Sequence, residues 1–165
     1  MTDTQQAESN FVSQFSPFWQ EAVVGYMMSD PVFFLACKTF IKYEWFENPV
    51  VAGIAKYMYD FFDKYKRSIR SWKEIDGMVR IIHTDIPNQT KYAIQIQSCI
   101  KATDSIGLDV LRTQMTLWIK IAKFKNGILE ATRIFNQKRH EEAAEWLSRA
   151  TQEISLATFD AAKWR

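Results

Sequence analysis

The fold is decided by the stretch Leu108–Asn136, LDVLRTQMTLWIKIAKFKNGILEATRIFN, which holds no proline and a single glycine, Gly127. Twenty-nine residues without a breaker can make one helix of about 40 Å. Along it Val110, Leu117, Ile121, Phe124, Ile128, Ala131 and Phe135 recur at alternating steps of three and four, interrupted by Gln114. After a short polar break (Gln137, Lys138, Arg139), Ala143, Leu147, Ala150, Ile154, Ala157 and Ala161 continue the alternation. Two heptad-like helices joined by a short turn predict an antiparallel hairpin, whose alanine-rich seam lets the backbones approach closely.

Upstream, three dipeptides carry the same helix-start signal: Ser16-Pro17, Asp30-Pro31 and Asn48-Pro49. In each, a side-chain oxygen can cap open amides and proline suits the first turn. The helices they launch carry apolar faces at Phe18, Ala22, Gly25 and Tyr26; at Val32, Leu35, Ala36 and Thr39; and at Val51, Ile54, Ala55, Met58, Phe61 and Phe62. Between the last two, the aromatic connector Lys42–Phe46 is expected to plug the core. Ser71-Trp72-Lys73-Glu74 has the form of a capping box and opens a helix with Ile75, Met78, Val79 and Ile82 on one face. Pro87 is expected to end that element. A further helix, from about Gln89 to Ala102, shows Tyr92, Ile96, Cys99 and Ile100 on one side.

The chain of 165 residues has few turn formers (five glycines, four prolines) and 47% apolar residues, so it has core material in plenty and little sheet character. The expected fold is all-α: a flexible arm at 1–14 without periodicity, then a compact head of about five or six helices at 15–103 and the long hairpin at 104–165. Met1–Asn10 has neither the charged start nor the apolar run of a secretory leader, and no apolar stretch approaches the ~20 residues of a spanning helix. A soluble, cytoplasmic protein with no membrane partner is expected, with Cys37 and Cys99 as reduced, buried thiols.

Catalytic signals are weak. Gly25, Gly53, Gly77, Gly107 and Gly127 never fall in GxxxxGK[ST], the spacing that wraps phosphates. His83 and His140 lie in different predicted elements, which leaves the cysteines without a nearby base. Asp85, Asp104 and Asp109 could ligate a metal but stand where helix caps are wanted. No enzyme activity, metal or cofactor is expected of this chain.

Binding signals are stronger. Lys64, Lys66, Arg67, Arg70 and Lys73 interleave with Tyr65 and Trp72. Such a run can track a phosphate backbone and stack bases, or be a solvated turn with Trp72 in the core. The net charge is only +2, against a dedicated nucleic-acid binder, so any such contact would be weak or indirect. Lys120, Lys123, Lys125, Arg133, Lys138 and Arg139 face an acidic helix start at Glu141, Glu142 and Glu145, which favours charge pairing. Trp118, Leu129, Trp146 and Leu156 lie off the main seams. They suit either packing within the chain or an oligomer interface, and assembly is the main functional expectation.

Four blocks together resemble the N-terminal domain of DnaB-like replicative DNA helicases, the phage versions above all. They are Tyr26–Phe34 (YMMSDPVFF), Tyr43–Pro49 (YEWFENP), Phe61–Tyr65 with Ser71–Ile75 (FFDKY, SWKEI), and Trp118–Ile154. The last block carries Phe124, Ile128, Leu129, Ala131, Glu141, Glu142, Ala143, Leu147, Ala150 and Ile154 at the family's positions. Arg70 stands where the family usually has proline. The resemblance spans about residues 15 to 160. It implies a collar in a bacterial or phage-infected cell, where hairpins of neighbouring subunits pair and primase or a helicase loader docks. ATP and Mg would belong to a separate C-terminal motor domain. The interface residues implied are Val110, Leu117, Trp118, Ile121, Phe124, Ile128, Leu147, Ala150 and Ile154. The alternative is a free-standing helical adaptor, such as a loader or phage regulatory protein, that binds single-stranded DNA through the basic run.

Overall fold

The computed structural model describes residues 15–159. The expected arm at 1–14 and the seam position Ala161 lie outside the described residues. Among those described there are seven α-helices and no strand, so the chain is all-α. They are α1 (Pro17–Ser29), α2 (Pro31–Phe40), α3 (Pro49–Tyr65), α4 (Trp72–Ile82), α5 (Ile86–Ala102), α6 (Leu108–Asn136) and α7 (His140–Leu156), with a 3-10 turn at Tyr43–Trp45. Contacts group the described chain into two units, 15–111 and 112–159. The division falls inside α6, not at residue 103.

In the first unit the three proline starts act as their sequences require. Ser16 Oγ accepts the Trp19 N–H at 3.3 Å, Asp30 Oδ1 the Phe33 N–H at 3.0 Å, and Asn48 Oδ1 the Val50 N–H at 2.8 Å. Each cap satisfies a donor that the first helical turn leaves open. α1 is apolar around most of its circumference and is buried accordingly, with Ala22, Val23, Val24, Gly25 and Met27 all inaccessible or nearly so. Its expected face is only half right, because Phe18 is 46% exposed. α2 turns Phe33, Phe34, Ala36 and Cys37 inward rather than Val32, Leu35 and Thr39. The larger aromatic rings bury more area and decide its rotation.

α1 packs most extensively against α5. Gly25 makes this possible, since a Cβ there would sit 2.2 Å from the Cys99 carbonyl oxygen. Buried Gln20 ties the 3-10 region to α1: its Nε2 donates to the Phe15 carbonyl (3.1 Å) and its Oε1 accepts the Glu47 N–H (2.9 Å). Of the aromatic connector, Phe46 is buried, while Tyr43 and Trp45 are half-buried.

α4 and α5 depart from the sequence reading at their junction. Pro87 lies in the first turn of α5, which starts at Ile86 with Asp85 as its cap; a proline costs nothing where the amide is open anyway. Ile75 and Val79 are buried, but Ile82 is 50% exposed.

In the second unit, α6 and α7 are joined at 137–139, with Lys138 in the left-handed region (φ 60°). A Cβ on Gly127 would lie 3.1 Å from the Ala150 Cβ. The Phe159 N–H donates to Thr116 Oγ1 at 3.1 Å. Ala131, Ile134 and Ala143 are buried, and the Phe135 ring stacks on His140 at 4.2 Å between centroids.

Candidate functional site

The implied interface residues separate into three groups. Val110, Leu117, Phe124, Ile128 and Leu147 are exposed, at 42–56% of their surface. Ile121, Ala150 and Ile154 are half-buried. Trp118 is 4% exposed and is removed from any surface of the single chain. Buried alongside it are Met115, Ile119 and Ala122, a stripe that the alternation beginning at Val110 does not include. Leu129, Phe135, Trp146 and Leu156 add to the exposed apolar area.

Of the expected pairing with the acidic helix start, Arg139 pairs with Glu142, whereas Arg133 pairs with Glu130 of its own helix. Both pairs are solvent-exposed, so each contributes little to stability.

The basic run closes α3 and opens α4. Lys66 caps α3 in the left-handed region (φ 57°). Ser71 Oγ accepts the Lys73 N–H at 3.1 Å, and Glu74 Oε1 accepts the Arg70 N–H at 3.2 Å. The reciprocal box is therefore realised one residue away from its usual partners, the Glu74 and Ser71 amides. Arg67 pairs with Glu74 at 3.1 Å and lies 4.9 Å over the Phe61 ring. Partial burial pulls the Glu74 carboxyl upward. The hydrogen bonds and charge of Arg67, with the Arg70 N–H, outweigh this and hold it below the usual glutamate range. Lys64, Lys66, Arg70 and Lys73 are exposed and form no ion pair among the described residues.

Trp72 is half-buried instead of lying in the core. With Arg67 and Arg70 it lines an open cleft of about 690 Å³, within the size range of ligand pockets. The rest of the lining comes from the end of α1 (Gly25, Met28, Ser29) and the end of α5 (Ile100, Thr103). Sequence reading finds the basic run but not these residues, which come from segments far away along the chain.

Neither thiol is poised for chemistry. Cys37 and Cys99 are buried, and burial raises both, Cys99 to about 12. His83 Nε2 shares a 2.7 Å hydrogen bond with the Tyr57 hydroxyl and its ring stacks on Tyr92 at 4.8 Å. Asp85 serves as a cap, and Asp109 accepts the Val110 N–H. Among the described residues no three His, Cys, Asp or Glu side chains gather as metal ligands, and no helix is long and apolar enough to cross a membrane.

No protein-family model, no curated protein and no solved structure matches this chain.

Proposed function

We propose that this chain is the N-terminal collar domain of a phage-type replicative DNA helicase: a non-catalytic helical head followed by an antiparallel hairpin that self-associates and docks primase or a helicase loader. The observation that carries the reading is the exposed apolar stripe of α6 (Leu117, Phe124, Ile128 and Phe135) with Leu147 on α7. Large apolar residues recurring on one helix face lower their free energy by meeting another apolar face. The hairpin is supported by the Gly127–Ala150 approach and the Thr116–Phe159 hydrogen bond. ATP and Mg chemistry belongs, on this reading, to a motor domain outside this sequence, in the cytoplasm of a bacterial or phage-infected cell.

The test is particle mass by light scattering. The wild type should run as a multiple of 19.4 kDa, and Phe124→Asp and Leu147→Asp should reduce it to the single-chain mass with circular dichroism unchanged. A wild type that stays monomeric at its highest soluble concentration, or variants of unchanged mass, would refute self-association.

A second reading, a free-standing adaptor for single-stranded DNA, is favoured by the four exposed cations Lys64, Lys66, Arg70 and Lys73. It requires salt-sensitive binding that disappears when Lys66, Arg67 and Arg70 are neutralised. The intact mass of the product of the unmodified gene separates the two readings. A reading frame that runs on into a GxxxxGK[ST] loop favours the collar.

A further inference from the structure

The cleft beside the basic run combines an apolar lining with positive charge. Its floor is apolar, formed by Met28, Ile69 and Ile100 with the bare backbone of Gly25. Two of the hydroxyls around it already donate within the protein. Ser29 Oγ donates to the Gly25 carbonyl (3.3 Å), Thr103 Oγ1 donates to the Ile100 carbonyl (2.6 Å), and Ser71 Oγ accepts the Lys73 N–H (3.1 Å). The positive charge stands on one side, in Arg67 and Arg70, with Lys66 and Lys73 exposed next to them in the chain. Arg67 is held by Glu74 and Phe61, which fixes the wall. Arg70 keeps its guanidinium without an ion pair among the described residues.

The geometry points to a docking site for a linear acidic peptide of a partner protein, with one apolar side chain anchored in the cleft and its flanking carboxylates on Arg70 and Lys73. Charge complementarity selects the flanks, and the apolar floor selects the anchor. Single-stranded nucleic acid fits less well. Binding a strand draws on successive aromatic platforms, and among the described residues Trp72 is the one aromatic side chain lining the cleft. The site lies wholly in the first unit and does not rest on the collar reading.

The test is fluorescence anisotropy with a labelled short peptide holding one leucine between aspartates and glutamates, alongside a twin with lysine flanks and an oligothymidylate. The acidic peptide should bind, weaken as salt rises, and lose about tenfold or more in affinity to Arg70→Glu or to replacement of its leucine by alanine. Trp72→Phe should shift the affinity while the fold, followed by circular dichroism, persists. Arg70 is exposed, so its variant is not expected to unfold, and its particle mass should match wild type, which keeps this test separate from self-association. Absence of binding by the acidic peptide, equal binding of the lysine twin, or indifference to Arg70→Glu would overturn the assignment. Oligothymidylate binding at lower concentration than the peptide, and lost in Arg70→Glu, would overturn it in favour of a strand site.

Discussion

Replacing Gly25 by alanine tests the packing that brings α1 and α5 together. The new Cβ would stand 2.2 Å from the Cys99 carbonyl oxygen, 2.9 Å from the Cys99 carbonyl carbon and 2.6 Å from Thr103 Cγ2. Comfortable non-bonded carbon contacts begin at about 3.5 Å. Thr103 can rotate away, but the Cys99 carbonyl belongs to helix backbone, so the two helices must separate. Overpacking of this kind costs about 1–3 kcal/mol, and backbone partners put it at the upper end. Alanine returns about 1 kcal/mol of helix propensity, which leaves a net loss of about 2 kcal/mol. For a chain of this size that lowers Tm by about 4–8 °C. Gly77→Ala is the matched control, because a Cβ there, also inside a helix, meets nothing within 4 Å. It should raise Tm by about 2–4 °C through propensity alone. Thermal melts followed by far-UV circular dichroism read both variants. If Gly25→Ala melts at or above the wild-type temperature, or both variants shift the same way, α1 and α5 do not approach as described.

Two further outcomes follow from titratable groups. The Glu74 carboxyl is held below its ordinary range in the folded chain, so its contribution to stability is present above the unfolded glutamate pKa and fades as pH falls through the folded value; urea midpoints measured across the acid limb should fall less steeply for Glu74→Gln than for wild type, and parallel curves would count against the Arg67–Glu74 tie. Burial raises the Cys37 and Cys99 thiols, so a chromogenic disulfide reagent should label neither in the native protein and both in denaturant, whereas rapid native labelling would contradict their burial.

The parts of the fold legible in the sequence are those fixed by near neighbours. Asn48-Pro49 needs only its own side chain and the next two amides to start α3, and the stripe from Val51 to Phe61 is buried as its spacing requires. Trp72 and Ile82 are less legible because their burial depends on what reaches them from elsewhere. Ile81 and Ile82 are adjacent and cannot share a helix face, and both are exposed at the end of α4, as are Ile86 and Ile94 on α5. The cleft is the extreme case. Gly25 and Thr103 become neighbours only through the packing of α1 on α5, Arg70 joins them from the α3–α4 connector, and the local signal at Gly25 is a single residue without a side chain.

α6 shows why periodicity alone cannot assign a seam. At about 100° per residue, Leu117, Phe124, Ile128 and Phe135 share one narrow sector, and Met115, Trp118, Ile119 and Ala122 another well removed from it. Gly127, Ala131 and Ile134 form a third, and Gly127 is where Ala150 approaches. Buried residues occupy the second and third sectors, so the first is left exposed although its spacing is the most regular. On the proposed reading, this exposed stripe is where a second copy would pair. Each of its four side chains is about half exposed, and completing their burial gives roughly 1 kcal/mol apiece. A two-fold pairing uses the same stripe on both copies, for about 8 kcal/mol in all. Association costs about 4–15 kcal/mol in lost freedom. If self-association occurs as proposed, the stripe alone would give a weak, concentration-dependent dimer, and strong pairing would need Leu147 and Trp146 at the contact or neighbouring domains tethered in one assembly, where effective concentration replaces contact area.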